Sequence, residues 1–392
     1  MRSMLRWVMR AVVAVAVVVA LLAAFNWERV TRLMAVNSLF APDRIVGNFI
    51  AMNTLFEHTP LPITAAPNRL ESGPAMEMPE GFDAWIEDRA VTGIIVLQDG
   101  VIRHESYPLT AEGEEDPAAS PRISWSIAKS YLSVLMGTLH DDGTIPDLDV
   151  PVTDYAPALA GTAYDGATIR DVLQMSSGVV FDEDYFDFWS DINRMGRVLA
   201  LGQSMDGFAA ALQDTFIAPG EEWQYVSIDT HVVGMVIRGA TGRSVAELLT
   251  ERVLDPLGQS GGSFYLTDGF GVAFVLGGLN MTTHDYALFG HMVASGGEAF
   301  GTRIVSEDWL LESTAASANT EPGAIGYGYQ WWIPVGASEG QFQGRGIYGQ
   351  YLYIDRPRGV VIAVNGADRR FRDDGVSRSN DAMFRAIAAA LD

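Results

Sequence analysis

Strand patterns stand at both ends of this chain and helical patterns fill the stretch between them, which narrows the folds open to it. Residues 93–97, the pair Asp99-Gly100 and residues 101–107 read as a β-hairpin with a type I′ turn, because Asp-Gly tolerates the positive φ that both turn positions need. Residues 126–139 are apolar on nearly every turn, the pattern of a buried helix. Helical spacing follows over residues 169–175, 205–212, 230–240 and 245–254. Strands return at 328–333, 349–355 and 359–365, and a closing helix over 381–391 sets Met383, Phe384, Ile387 and Leu391 on one face. The pattern predicts an α/β (α+β) domain. Its antiparallel sheet is closed by N- and C-terminal strands, flanked by helices and interrupted by a mainly helical subdomain over about 140–270.

Charge and composition remove whole classes of function. The chain of 392 residues has 26 basic and 49 acidic side chains, a net charge of −23. Such a polyanion repels nucleic acid, so no nucleic-acid partner is expected. The absence of cysteine excludes disulfides, thiolate metal sites and cysteine nucleophiles. The six histidines (His58, His104, His140, His231, His284 and His291) show no metal-ligand spacing, and there is no glycine-rich phosphate loop. Neither a metal nor a cofactor is expected.

Residues 11–25 form an apolar run preceded by Arg2, Arg6 and Arg10. With Arg10 snorkelling, the segment 1–25 reads as a signal anchor: a single pass through the cytoplasmic membrane, with the rest outside. A cleaved signal peptide ending at Leu22-Ala23-Ala24 is the alternative. Residues 26–75 read as an amphipathic lead-in and a linker broken by Pro60, Pro62 and Pro67. The remaining domain spans 76–392.

The chain has 25 arginines and a single lysine, Lys129. Lysine can lose its proton when buried and arginine cannot, so this position either asks for a base or is a chance survivor in an arginine-biased chain. Lys129 closes the motif Ser126-Ile127-Ala128-Lys129. A helix beginning near Ser126 puts serine and lysine one turn apart on one face, with free N–H groups at the helix start to hold an oxyanion. A serine N-cap on a core helix beside a snorkelling lysine would give the same four letters. Pro219-Gly220-Glu221-Glu222-Trp223-Gln224-Tyr225-Val226-Ser227 places a tyrosine on a turn before a helix, either as a proton shuttle or as a packing aromatic. Gly344-Arg345-Gly346-Ile347-Tyr348-Gly349-Gln350 lets backbone approach a substrate closely, or forms a plain hairpin turn.

These three islands, with Thr168-Ile169-Arg170-Asp171-Val172-Leu173-Gln174-Met175-Ser176-Ser177-Gly178 and Gly277-Gly278-Leu279-Asn280-Met281-Thr282, resemble the β-lactamase-related serine hydrolases. The likeness covers about residues 80–390. In motif it is nearest to 6-aminohexanoate-dimer hydrolase and family VIII-type esterases. It implies a β-lactamase/transpeptidase-like fold, Ser126 as acylated nucleophile, Lys129 as general base and Tyr225 as proton shuttle. It also implies binding or oxyanion roles for Gln350, Gly349, Tyr348 and Ser227. Ser227 stands where β-lactamases carry Asn, and the closing strand has no Lys-Thr-Gly. The missing cation argues against β-lactams and terminal-carboxylate substrates and for short-acyl esters or linear amides, unless Arg345 substitutes for it.

Asp182, Glu183, Asp184 and Asp187, interleaved with aromatics, form either a rim for a cationic amine, with Asp184 as its carboxylate, or a solvated loop. Of Trp331 and Trp332, one lines the acyl pocket and one packs in the core, and Trp331 is taken as the lining residue. Gly258-Gln259-Ser260-Gly261-Gly262 matches a nucleophile elbow only formally, since it follows a helix. The expected activity is hydrolysis of a small-molecule ester or amide. A β-lactamase or D-alanyl carboxypeptidase-like enzyme and a non-catalytic membrane-anchored sensor or scaffold are the alternatives, and no oligomeric state follows from the sequence.

Overall fold

The hairpin at Asp99-Gly100 sits in an eight-stranded sheet of the computed structural model, which describes residues 2–392 and the side chains of all but residues 2, 3 and 19–23. In chain order its strands are β1 (Glu71–Ser72), β2 (Val91–Gln98), β3 (Val101–Ser106), β4 (Gly326–Tyr327), β5 (Trp332–Ile333), β6 (Gln341–Gly346), β7 (Gln350–Asp355) and β8 (Val360–Gly366). Spatially they run β4-β5-β6-β7-β8-β2-β3-β1. All neighbours are antiparallel except β1 and β3. Asp99 and Gly100 have φ of 51° and 78°, as a type I′ turn requires. β8 pairs with β2 along its length, so the two ends of the chain close the sheet.

Alternation decides what covers each face. Ile94, Val96, Tyr353 and Ile362 pack against Trp85 and against Phe384 and Ile387 of the closing helix Val376–Ala389. Ile95, Leu97, Leu352 and Val361 face the helices Ile127–Asp141 and Thr283–Ala294. Residues 127–139 are buried throughout, which explains their almost uninterrupted apolar run. A second sheet of four short strands, in the order His58–Pro60, Phe264–Leu266, Leu279–Met281 and Arg122–Ile123, supports the start of that helix. Ser124 N–H donates to Leu279 O at 2.8 Å. The helices Ile169–Leu173, Asp191–Ala200, Met205–Ala210, Ser227–Thr241 and Val245–Leu249 make the helical insert.

Three sequence expectations meet different structure. The first is the strand over 328–333, of which only Trp332–Ile333 is strand; it pairs with Gly326–Tyr327 across a turn. Gln330 has φ 65°, and its amide donates to Val172 O and Leu173 O while accepting from Thr230. Those bonds pull the segment off the strand path.

The second is the membrane anchor. Residues Arg2–Phe25 are helical, yet among the described residues no helix is long and apolar enough to cross a membrane. The uninterrupted run of residues 11–25 reaches roughly 22 Å against a hydrocarbon core of about 30 Å, and the rest of the helix carries Arg2, Arg6 and Arg10. This overturns the single-pass anchor and the membrane localisation. The alternative cleavage site includes Leu22 and Ala23, whose side chains lie outside the described residues.

The third concerns residues 26–75. Helices Trp27–Ser38, Ile45–Ile50 and Met52–Leu55 lead into the strand His58–Pro60, and Leu39, Phe49, Met52, Phe56, Leu61 and Leu70 are part of the main core. This segment is packed against the domain.

Candidate active site

The chain reaches the cleft through a strained residue. Trp125, between the strand Arg122–Ile123 and the helix Ile127–Asp141, has φ 41°, a conformation that costs a non-glycine residue on the order of 1 kcal/mol. The turn sets Ser126 at the helix N-cap, where its side chain makes no capping bond. Lys129 Nζ instead donates to Ser126 Oγ at 2.8 Å and to Leu276 O at 2.7 Å. Lys129 is 1% exposed. Burial lowers its ammonium pKa to about 7, against an upward pull from the Glu183 charge. The lysine beside the serine therefore gives up its proton far more readily than an exposed one.

Tyr225 arrives from the segment before the helix Ser227–Thr241. Lys129 Nζ stands 5.4 Å from its ring centroid, and Trp332 stacks on it at 4.8 Å. Burial holds the Tyr225 phenol above its ordinary pKa and the Glu183 charge adds to this, while hydrogen bonds with the Ser126 and Ser227 hydroxyls oppose it. Tyr225 thus keeps its proton at neutral pH.

Glycines let β6 close over the helix start. A Cβ on Gly346 would come within 2.7 Å of Ser124 O and 3.1 Å of Ser126 N, and one on Gly344 within 3.1 Å of Ser130 Oγ. Beyond Gly346, Ile347 and Tyr348 line a cavity together with Ser126 and Ser227. Tyr348 is at φ 59° and Gly349 at φ 89°, making the tight turn into β7.

Not every expected binding residue faces the cleft. Gln350 is buried behind the turn, its amide donating to Gly366 O at 2.7 Å and to Tyr348 O at 3.3 Å, so it braces the turn that Ile347 and Tyr348 present. Trp331 is fully buried against Phe289 and Phe342, and Trp332 is the tryptophan in the cleft. The turn at Gln330 shifts the alternation and exchanges the two. Asp184 is exposed and accepts from Phe186 N–H of its own loop, as Asp182 accepts from Asp184 and Asp187 from Trp189. Arg345 is held by Asp381 through two bonds of 2.9 Å, so its charge is already paired.

Of the four acids that the sequence offers for this loop, Asp184 is the expected carboxylate, whereas Glu183 is the one that turns inward. Its carboxylate accepts from Ser227 N–H at 3.0 Å and from the hydroxyls of Ser227 and Tyr185. Sequence reasoning missed Phe40, which stacks on Tyr348 at 4.4 Å, although the helical spacing of the lead-in was the signal that this segment buries a face.

Comparisons with known proteins agree with this architecture. The beta-lactamase family profile matches residues 94–379. A 6-aminohexanoate-dimer hydrolase of Paenarthrobacter ureafaciens is 32% identical over 306 residues, which are 74% of this chain and 76% of that protein. A solved structure from Bacillus anthracis, provisionally designated a 6-aminohexanoate-dimer hydrolase, superposes with a TM-score of 0.78 at 22% identity. It covers 90% of this chain and 96% of its own. One from Bacteroides dorei, provisionally designated a beta-lactamase, gives 0.61 at 21% identity, over 78% and 96%. Both share its fold.

Proposed function

The chain belongs to the beta-lactamase family of serine hydrolases, and on that premise we propose that it cleaves an ester or linear amide through an acyl-enzyme on Ser126. The observation that carries the reading is the 2.8 Å contact between Ser126 Oγ and Lys129 Nζ, a buried lysine whose pKa is lowered to about 7 by that burial. Neutral Lys129 takes the Ser126 proton as Oγ attacks the carbonyl carbon. In this reading the N–H groups of Ser126 and Ile347 hold the tetrahedral oxyanion, which the close approach of Gly346, the residue before Ile347, to Ser126 N supports. As the C–O or C–N bond breaks, the Tyr225 hydroxyl protonates the departing atom, and the Lys129 ammonium returns that proton to the phenolate. Water then enters by the same base and releases the acid.

The pairing of Arg345 with Asp381 favours the ester and linear-amide reading over β-lactam or D-alanyl peptide hydrolysis, where a free cation would hold the substrate carboxylate. The name of the Paenarthrobacter relative favours a linear amide bond among the substrates.

Intact mass after incubation with a fluorophosphonate tests the reading. One adduct on the parent, none on Ser126→Ala and slow labelling of Lys129→Ala are expected. Equal labelling of all three, or none on folded parent, would overturn it.

A further inference from the structure

Beside Ser126 lies a cavity of about 100 Å³ whose walls are almost wholly apolar. One wall comes from the N-terminal helices, through Leu39, Phe40, Met52 and Phe56; another comes from Ile192, Met195 and Leu199 of the helix Asp191–Ala200. No Asp, Glu, Lys, Arg or His lines it among the described residues. Apart from Ser126, the Tyr348 hydroxyl and the Trp125 indole N–H, a buried donor without a partner, its side-chain polar groups are already spent. The Asn193 amide donates to Tyr185 O at 3.0 Å and to Asp187 O at 2.8 Å, and the hydroxyls of Tyr185 and Ser227 both go to Glu183.

The cavity also has a side. Ser126 and Ile347 line it, while Tyr225 and Lys129 do not. Tyr225 marks where the leaving group departs, so this space takes the other half of the substrate, the acyl group. We infer that the enzyme selects esters or amides of uncharged, apolar acyl groups, received in a cavity that the N-terminal segment up to Phe56 helps to build. The inference rests on the acyl-enzyme reading above.

A methylene moved from water into such a wall gains about 0.8 kcal/mol, roughly a fourfold change in rate constant where the gain is kept in the transition state. A charged end placed there would lose its hydration with no carboxylate in return, and ring faces such as those of Phe40 and Trp125 would offset only part of that cost. The 6-aminohexanoyl group ends in an ammonium, and so it is a poor fit to this wall.

Full-length protein with p-nitrophenyl esters gives the test. From acetate to hexanoate, kcat/KM is expected to rise at least about tenfold. The 6-aminohexanoate ester is expected to fall at least about tenfold below heptanoate, in which a methyl replaces the ammonium. Gly196 lines the cavity, and a Cβ there would meet no atom within 4 Å, so Gly196→Phe can fill the space. That variant is expected to lower the hexanoate-to-acetate ratio at least about fivefold. A flat or falling chain-length profile, or equal rates for the aminohexanoate and heptanoate esters, on protein whose Ser126 still takes fluorophosphonate, would overturn this inference and leave the acyl-enzyme reading standing. Failure of Ser126 to take the label would overturn both.

Discussion

Glu183 accepts hydrogen bonds from both the backbone N–H and the hydroxyl of Ser227, and so fixes a negative charge at the start of the helix Ser227–Thr241. The same charge acts on the two groups that would move protons: it raises the pKa of the Lys129 ammonium and of the Tyr225 phenol. Its carboxylate also caps a helix N-terminus, a favourable place for an anion.

Replacing Glu183 by Gln keeps the shape and removes the charge. Lys129 then loses its only opposing pull and its pKa falls below 7, so the acid limb of kcat/KM against pH is expected to move to lower pH. Activity at pH 6 relative to pH 8 rises. The weaker cap costs about 1 kcal/mol in urea denaturation. A limb that stays in place while stability drops would make Glu183 a structural cap alone.

Lys129 carries a second expectation through linkage. Its folded pKa of about 7 lies below the ordinary lysine value of 10.5, so between those values the unfolded chain holds a proton that the folded chain has released. Stability therefore rises with pH from about 7 to about 10, as far as this group goes, and the buried ammonium costs most below pH 7. Lys129→Met removes that cost. The variant is expected to be inactive, by a factor of 100 or more, and yet more stable than the parent at pH 6 by on the order of 1–2 kcal/mol. Thermal melts at pH 6 and pH 9 check this, since the gain should shrink at the higher pH. Lys129→Arg keeps a charge that cannot be shed and is expected to be both inactive and destabilised.

The serine and lysine were legible because helical spacing places them one turn apart whatever surrounds the helix. The hairpin was legible because Asp-Gly permits positive φ at Asp99 and Gly100. What was not legible came from backbone that breaks a period. Trp331 and Trp332 are adjacent, and only the turn at Gln330 decides which one faces the cleft; its cause is Thr230, Val172 and Leu173, far off in sequence. Glu183 and Asp184 sit in a loop with no period, so nothing in the sequence separates the inward acid from the solvated one. The face of Phe40 could be read as apolar, while its partner Tyr348 is about three hundred residues away.

That exchange gives neighbouring tryptophans opposite roles. Trp331→Ala opens a hole among Phe289 and Phe342 and is expected to cost about 3–5 kcal/mol of stability. Trp332→Ala removes the ring stacked on Tyr225, and is expected to lower kcat/KM about tenfold or more with a smaller loss of stability, about 1–2 kcal/mol. Parallel urea melts and esterase rates separate the two, and matching losses of stability would refute the assignment.

Asp229 is buried in the helix Ser227–Thr241, where its Oδ1 accepts from Tyr164 and Ser177. Burial raises its carboxyl pKa to about 7 from 3.8, against the pull of those two bonds. Between those values the folded chain keeps a proton that the unfolded chain has lost, so this group makes stability fall as pH rises from about 4 to about 7. Asp229→Asn keeps the oxygen that accepts both bonds and cannot ionise. The difference in unfolding free energy between variant and parent is therefore expected to move in favour of the variant from pH 5 to pH 8. A difference that stays constant over that range would mean that Asp229 is ionised throughout.

The close approach at Gly346 supports the last prediction. A methyl there would meet Ser124 O at 2.7 Å and Ser126 N at 3.1 Å, both backbone atoms that cannot swing aside. Gly346→Ala must therefore push β6 away from the start of the helix Ile127–Asp141, and with it the N–H of Ile347 from that of Ser126. If those two groups hold the oxyanion, the loss resembles removal of one donor, about 2.7–4 kcal/mol, or 100- to 1000-fold in kcat. Lys129 and Ser126 share the helix and move together, so proton transfer between them survives. The variant is thus expected to fall steeply in ester turnover while the pH at which its residual rate is half-maximal stays near 7. A shift of that midpoint would mean instead that the methyl disturbs Lys129.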